Sequence, residues 1–295
     1  MQLFNRRYSL SVKNTDNEGS VITTLTQHRI AFEVEQTGSK FVDKMKGTIY
    51  NPSQQTVQAF QQGAFVVLEA GYDGALTYGI LFKGAVKKVE VTMKGPDLVL
   101  DFTALDMPPG HPSSRVDLAA APGTGLMDIL DIILLKFDGV NVDAARRDLQ
   151  EVAGTTRWGA GKQATSMSSK VFRKGLNLTG KPAELLNRLL RRTNPRIRWS
   201  IQDGGLVVAP GGVPVKPNAT AIVLGDRTGL IGSPSIGEKG RLTATSLLQP
   251  DLRPFRVVTM EGTRSVNGSY RAVKVKHKGD THSNEWSSTV EAVKV

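Results

Sequence analysis

The feature that most constrains the fold of this chain is a two-residue alternation of apolar and polar side chains, in short runs separated by glycine, asparagine and aspartate. Within residues 8–106 it is clearest in residues 30–35, 86–91 and 98–102. Successive side chains of a strand point to opposite faces, so each run offers one face to a core. Residues 65–72 are more continuously apolar, which predicts a strand covered on both faces. The first third is therefore predicted to form antiparallel strands.

Strand-like runs return in the last third of the chain. They cover residues 221–224, 241–247, 255–261, 270–277 and 287–293. No exact internal repeat relates them to the first set. The chain is therefore predicted to be mainly β, with β segments at both ends.

The middle of the chain carries helical periodicity instead. In residues 125–137 apolar side chains recur at three- and four-residue spacing, which predicts a helix with one buried stripe. A second helix is predicted from Pro182, because proline is tolerated in the first turn, where its missing N–H has no intrahelical partner. Alternation in residues 197–208, which include Trp199, then predicts a β-hairpin with a glycine-bearing turn.

Proline and glycine clusters mark the borders of this mixed α/β segment. Residues 108–110 (PPG) end the first strand pattern, and residues 210–217 are rich in the same two residue types. The sequence therefore predicts a β domain, a mixed middle domain and a second β domain, over residues 1–107, 108–217 and 218–295.

Composition narrows the chemistry that such a chain can perform. It has no cysteine, which excludes a disulfide framework and a thiolate metal site. The longest apolar run, residues 129–135, contains Asp131 and is too short to cross a bilayer. Residues 1–13 lack the apolar core of a signal peptide. We therefore expect a protein without an export signal and without membrane insertion.

The formal net charge of +11 raises the expectation of an acidic partner, such as nucleic acid or an acidic protein. Basic residues cluster at residues 146–147, 170–174 and 188–198. Aromatic residues, which a single-strand binder would interleave with such clusters, are few there. A basic surface that faces solvent or protein is therefore favoured, and a nucleic-acid-binding protein is the alternative.

Two histidines and a carboxylate, His277, Asp280 and His282, lie within six residues and deserve consideration as metal ligands. The pattern predicts a strand that runs into a Gly-Asp turn, and this geometry separates the three groups. The favoured interpretation is that Asp280 caps the turn and that both histidines are surface residues. A metal-dependent hydrolase that uses these three residues is the less favoured alternative.

Other motifs also fall short of an active site. Residues 225–232 resemble a glycine-rich nucleotide loop, but Pro234 and Gly237 leave no helix after it to face a phosphate. Asp128 and Asp131 lie on the polar side of the predicted first helix. The chain has four histidines and no glycine-flanked nucleophile. The sequence thus predicts no catalytic, cofactor-binding or metal-binding residues, and a protein that is not an enzyme.

Three stretches resemble the bacteriophage baseplate hub family, the hubs of contractile tails. The first covers residues 63–72 and 81–84, the second residues 229–234 and 247–254, and the third residues 270–281 with 285–286. The middle third is similar only in its helix and its tryptophan-bearing hairpin. One departure is Phe255, which stands where the family often has a glycine.

The resemblance implies a virion structural protein with two tube-like antiparallel β-barrel domains that flank the small middle domain. It implies a homotrimeric ring that joins the tail tube to the central spike in the tail baseplate, assembled in the host cytoplasm. Its partners would be further copies of itself, the tail tube protein, the central spike protein and other baseplate proteins, with no cofactor. The positive charge would either complement acidic neighbours or face DNA in the lumen without sequence specificity. A ring of this kind buries strand edges that a monomer would have to protect.

Overall fold

The computed structural model describes residues 5–13, 22–38, 42–73, 78–106, 115–155, 157–158, 165–166, 170–193, 197–209, 221–237, 240–263 and 266–295, without the side chains of residues 152–169. The chain divides into two compact units. The first unit joins Met1–Asp106 with Lys216–Val295, and the second is Met107–Val215.

Strands dominate the described residues, as the alternating pattern predicted. The strands are β1 (Arg6–Lys13), β2 (Ile22–Leu25), β3 (Ile30–Thr37), β4 (Lys44–Tyr50), β5 (Phe65–Tyr72), β6 (Tyr78–Lys94), β7 (Asp97–Leu105), β8 (Val116–Ala120), β9 (Arg157–Trp158), β10 (Thr165–Ser166), β11 (Leu176–Gly180), β12 (Arg198–Gln202), β13 (Gly205–Ala209), β14 (Ile222–Leu224), β15 (Leu230–Ile236), β16 (Arg241–Leu247), β17 (Val257–Met260), β18 (Gly268–Asp280) and β19 (Trp286–Lys294). The helices are α1 (Gln54–Ala59), α2 (Leu126–Leu134), α3 (Asp143–Thr155) and α4 (Pro182–Thr193).

One sheet of 13 strands forms the first unit. Its main path runs β15-β16-β19-β18-β3-β4-β7-β6-β5-β1-β2, and β14 and β17 attach beside β18. All its pairs are antiparallel except β14 with β17. The path ends at β2 and β15, and the described strands do not close into a barrel. The mainly β, antiparallel class is confirmed, whereas two tube-like barrels stay a prediction.

Strand β18 joins the first and last thirds of the chain. Its residues 274–280 pair with β3, from Lys274 beside Thr37 to Asp280 beside Ala31. Its beginning pairs with β17, so the two short ladders share one edge of β18. Both outer segments of the chain belong to one unit. Whether each outer segment is a domain of its own stays a prediction.

Aromatic rings cover glycines on the core face of this sheet. A Cβ on Gly47 would lie 2.3 Å from the Phe102 ring, and one on Gly279 would lie 2.4 Å from the Phe32 ring and 2.8 Å from Trp286. These distances are shorter than van der Waals contact, so only glycine fits beneath the rings. The large side chains that fill the core therefore depend on small residues in the neighbouring strands.

Phe255 has a backbone conformation that glycine adopts more readily than other residues. Its φ of 70° lies in the left-handed region, which is strained for a bulky side chain. The ring is buried, and its N–H donates to the Ala272 carbonyl at 2.8 Å. A Cβ on Gly38 would lie 2.7 Å from the same ring. The left-handed backbone at Phe255 is thus accompanied by burial of its ring and by a glycine, Gly38, that leaves room for the ring.

Replacing Gly38 with alanine is expected to lower the free energy of unfolding by about 1–3 kcal/mol, because the added methyl group overlaps the buried Phe255 ring. Urea denaturation measures the effect. Gly237→Ala is the matched control, since among the described residues a Cβ there would meet only the Arg241 carbonyl oxygen, at 3.9 Å. Equal stabilities for the two variants would show that the packing at Phe255 is loose.

The second unit is a mixed α/β body with its own core. Strand β8 pairs with β11, and β12 and β13 form a hairpin. Helices α2 and α4 bury leucine and isoleucine stripes, and Phe137 contacts Trp199 edge to face at 6.1 Å. The two predicted helices and the tryptophan-bearing hairpin are confirmed. Helix α3 and the β8–β11 pair were not predicted.

Candidate assembly surface

The outward face of β3 and β18 carries an alternation of opposite charges, which we call the charged face. It consists of Glu33 and Glu35 on β3 and of Lys274, Lys276 and Lys278 on β18. Lys276 Nζ lies 2.9 Å from Glu33 Oε1, and Lys278 Nζ lies 3.7 Å from Glu33 Oε2. The partners come from opposite ends of the chain, so cross-strand pairing balances the charge and fixes the register.

The lysines of the charged face change the acidity of Glu33. Partial burial by itself would raise the pKa of this carboxyl, but the hydrogen bond from Lys276 and the charges of Lys276, Lys278 and Lys46 lower it below its usual range. The hydrogen bond to Glu35 likewise raises the pKa of Lys274 against the effect of burial. Glu33 and Lys274 therefore hold their charges firmly, and the two glutamates and three lysines of the face carry a formal net charge of +1.

Exposed apolar side chains mark three places on the same unit. Ile22 lies on the edge strand β2 and is 62% exposed, and Ile236 lies on the edge strand β15 and is 51% exposed. Met93 and Val91 lie near the tip of the β6–β7 hairpin, where β6 extends beyond its pairing with β5. Strand edges that carry exposed apolar side chains are typical places for pairing or packing with another chain.

The stretches that carry the family resemblance contact one another. Arg253, in the second stretch, donates through Nη1 to the Leu81 carbonyl at 3.2 Å and through Nη2 to the Ile80 carbonyl. Leu81 lies at a bulge in the β5–β6 ladder, where its carbonyl also accepts from Gln36 Nε2 at 3.1 Å. The second and third stretches meet where His277 bonds to the Leu252 backbone. The sequence singled out these stretches without revealing that they meet.

The three residues considered as metal ligands are not brought together. His277 is fully buried, and its Nδ1 lies 2.7 Å from Ser288 Oγ. His282 is exposed and contacts Thr281, while Asp280 accepts from the His282 N–H at 2.8 Å. Among the described residues no group of three or more His, Cys, Asp or Glu could hold a metal ion.

The prediction that both histidines are surface residues is wrong for His277. Strand β18 continues to Asp280, and His277 occupies one of its inward positions. Burial and the charge of Arg253 lower the pKa of His277 to about 3, against an opposing bond with the Leu252 backbone. The ring is therefore neutral at physiological pH. The turn-capping role predicted for Asp280 is confirmed.

The remaining motifs have structural roles. The glycine-rich residues 225–232 form a turn that leads into strand β15, and Thr228 closes it by accepting from the Gly225 N–H at 2.8 Å. Asp131 on α2 accepts from Arg146 Nε at 2.7 Å. One arginine of the first basic cluster is therefore paired with a carboxylate. The other two clusters meet in one region of the second unit, where residues 170–174 lie beside Arg192 of α4.

Helices of membrane-spanning length and apolarity do not occur in the part of the chain that the structure describes.

Comparison with protein-family models and with curated proteins gives no match. Solved structures do match over almost the whole chain. The 43 kDa tail protein of prophage MuSo2 from Shewanella oneidensis is similar with a TM-score of 0.58 at 10% identity, over 97% of this chain and 96% of that chain. A tail protein from Neisseria meningitidis is similar with a TM-score of 0.55 at 10% identity, over 97% and 96%.

A third match links this fold to secretion machinery. It is an Escherichia coli component of the type VI secretion system with structural similarity to the T4 bacteriophage tail proteins gp27 and gp5. Its TM-score is 0.58 at 11% identity, over 91% of this chain and 75% of that chain. The resemblance seen in the sequence is thus confirmed at the level of the fold: this chain has the fold of bacteriophage tail proteins.

Proposed function

We propose that this chain is a structural protein of a phage tail and serves as the baseplate hub, a homotrimeric ring that joins the tail tube to the central spike. The observation that carries the proposal is the fold shared with tail proteins over 97% of the chain. Within this proposal the two outer segments supply one tube-like domain each, and the chain needs no catalytic residues.

The edges of the sheet support a ring of copies. A sheet that ends at β2 and at β15 presents two different edges, so head-to-tail contact between copies is heterologous and closes a ring when the rotation fits. Isoleucines on both edges would be buried in such contacts. The Met93 hairpin lies away from both edge strands and would be available for the tube or the spike.

The charged face also affects which partners this unit attracts. Because its lysines pair with its own glutamates, it offers little net attraction to DNA. The proposal therefore places other tail proteins, rather than nucleic acid, as the partners of this unit. The location that follows is the virion tail, after assembly in the host cytoplasm.

Light scattering of the purified protein at several concentrations is expected to give three times the mass of one chain. Ile22→Lys and Ile236→Lys are each expected to shift this mass toward that of a monomer, because a charged side chain at a buried strand edge must lose its water.

Leu135→Lys is the matched control for these edge variants. Leu135 is 66% exposed and lies in the second unit, outside the sheet, so its replacement is expected to leave the mass unchanged. A wild-type mass of one chain at every concentration contradicts a self-assembling trimer. A trimer that both edge variants leave intact contradicts edge-to-edge contact.

A further inference from the structure

The second unit contains a cleft of about 730 Å³, which we call the basic cleft. One wall is residues 170–176, and the other is the last turn of α4 with Leu189, Arg192 and Thr193. Leu126, the first residue of α2, lies at its base. Leu126 and Leu189 are buried, so the cleft has an apolar floor beneath a polar rim.

Cations surround this cleft, and none of the described residues that line it is a carboxylate. Arg173, Lys174 and Arg192 are exposed, and none of them forms an ion pair with any residue that the structure describes. Residues 107–215 contain 15 Lys and Arg against nine Asp and Glu, so the surrounding surface does not offset them. A rim of unpaired cations above an apolar floor favours a ligand with both carboxylates and apolar side chains.

Val171 adds an open strand edge to one wall. Two backbone hydrogen bonds flank the β-bridge between Val171 and Gly125. The Leu126 N–H donates to the Lys170 carbonyl at 2.8 Å, and the Phe172 N–H donates to the Thr124 carbonyl at 3.0 Å. In this antiparallel arrangement the N–H and C=O of Val171 itself point away from Gly125. No described residue pairs with them, and the side chain is 46% exposed.

We propose that the basic cleft binds an extended acidic peptide segment of a partner protein. The peptide adds as a strand beside Val171, with apolar side chains on the floor and carboxylates at Arg173, Lys174 and Arg192. Main-chain bonds give such strand addition its affinity, and alternate side chains give it specificity. This inference goes beyond the proposed assembly role and rests only on contacts within residues 107–215.

A peptide fits these features better than a nucleic acid. Single-stranded nucleic acids are bound by exposed aromatic platforms along a basic groove that tracks the phosphates. The only aromatic side chain on the described walls of this cleft is Phe172, which is half-buried. A nucleic acid also gains nothing from an open main-chain N–H and C=O at a strand edge.

The test is fluorescence anisotropy with the full chain and a fluorescein-labelled decapeptide that alternates glutamate and valine, at about 0.15 M salt. Arg173→Glu and Arg192→Glu are each expected to weaken binding by about tenfold or more, because attraction becomes repulsion. Arg191→Glu is the matched control. It makes the same charge change on the same helix but does not line the cleft, and it is expected to alter binding by less than about twofold.

Strand addition is tested separately. Val171→Pro removes an N–H that the described fold does not use, and it is expected to weaken binding by about tenfold. A peptide with alternate N-methylated amides makes the same test without altering the protein, so that a folding defect in Val171→Pro cannot imitate the result.

Three results would overturn the proposal. Equal weakening by Arg191→Glu and Arg192→Glu would show diffuse charge attraction in place of a site. Unchanged affinity for the N-methylated peptide would exclude strand addition. Absence of peptide binding, together with oligothymidine binding that Arg192→Glu abolishes, would identify the cleft as a nucleic-acid surface.

Discussion

Replacing Trp286 with alanine is expected to lower the free energy of unfolding of the strand-built unit by about 3–5 kcal/mol. The ring is buried and lies 5.4 Å from the Phe32 ring in an edge-to-face contact. Its Nε1–H donates to the Gly71 carbonyl at 3.3 Å. The substitution therefore leaves a cavity and also removes this hydrogen bond. Urea denaturation followed by circular dichroism measures the loss.

Glu285→Ala is the control for this experiment, in the adjacent residue. Glu285 is exposed and pairs with Lys278 at 3.3 Å on the charged face, where a pair contributes less than about 1 kcal/mol. A loss at Trp286 that is no greater than the loss at Glu285 would mean that the aromatic cluster over Gly279 does not stabilise the sheet.

Acidification from pH 6.5 to pH 5 is expected to remove about 2 kcal/mol of stability through His277 alone. The folded chain holds the pKa of His277 near 3, whereas the unfolded chain has the ordinary value of 6.5. Between these values the unfolded state takes up the proton and the folded state does not, so stability falls as the pH falls through 6.5, and the effect fades above that value. Free energies of unfolding from urea titrations at half-unit intervals give the slope.

His277→Asn should abolish this slope, because the amide can still bond to Ser288 but does not titrate in this range. His282→Gln, which replaces an exposed histidine on the turn after β18, is the control variant. The carboxyl of Glu33 contributes its own loss only below its usual range, so the window from pH 6.5 to pH 5 isolates the histidine. A slope that persists in His277→Asn would assign the effect to another group.

Local patterns predicted most of the strands and two of the helices. The alternation in residues 30–35 corresponds to β3, and the leucine stripe after Pro182 corresponds to α4. Residues 65–72 differ from the expectation of a strand covered on both faces, because Phe65, Val67 and Glu69 are only half-buried. A continuous apolar run is therefore compatible with one well-buried face.

Helix α3 was not predicted because its apolar stripe is weak. Among its residues with described side chains only Ala145 and Leu149 are buried, and polar side chains fill the positions between them. Its packing against β13 and α2 supplies the stabilisation that its own pattern lacks. Tertiary contact decided this element, and no local signal was strong enough to indicate it.

Strand partners were also outside the reach of local patterns. Alternation identifies a strand but not its neighbour, so the pairing of β3 with β18 was not predicted. The glutamates of one strand and the lysines of the other were a usable signal, because facing strands stabilise opposite charges. The same limit explains the wrong prediction for His277, because the face to which its side chain points depends on where β18 ends. In the basic cleft, two clusters visible in the sequence meet only because α4 packs near residues 170–176.

The pairing of β3 with β18 also sets an order of events during synthesis. A ribosome produces β3 early, but its partner residues 274–280 emerge only after the whole second unit. That unit has its own hydrophobic core, which is built from its own residues. Contacts between residues so far apart carry a large loop-closure cost and fold slowly. Nascent chains therefore hold an unpaired β3 edge until residues 274–280 have been translated, and slowing translation after residue 215 should prolong their exposure to chaperones and to aggregation.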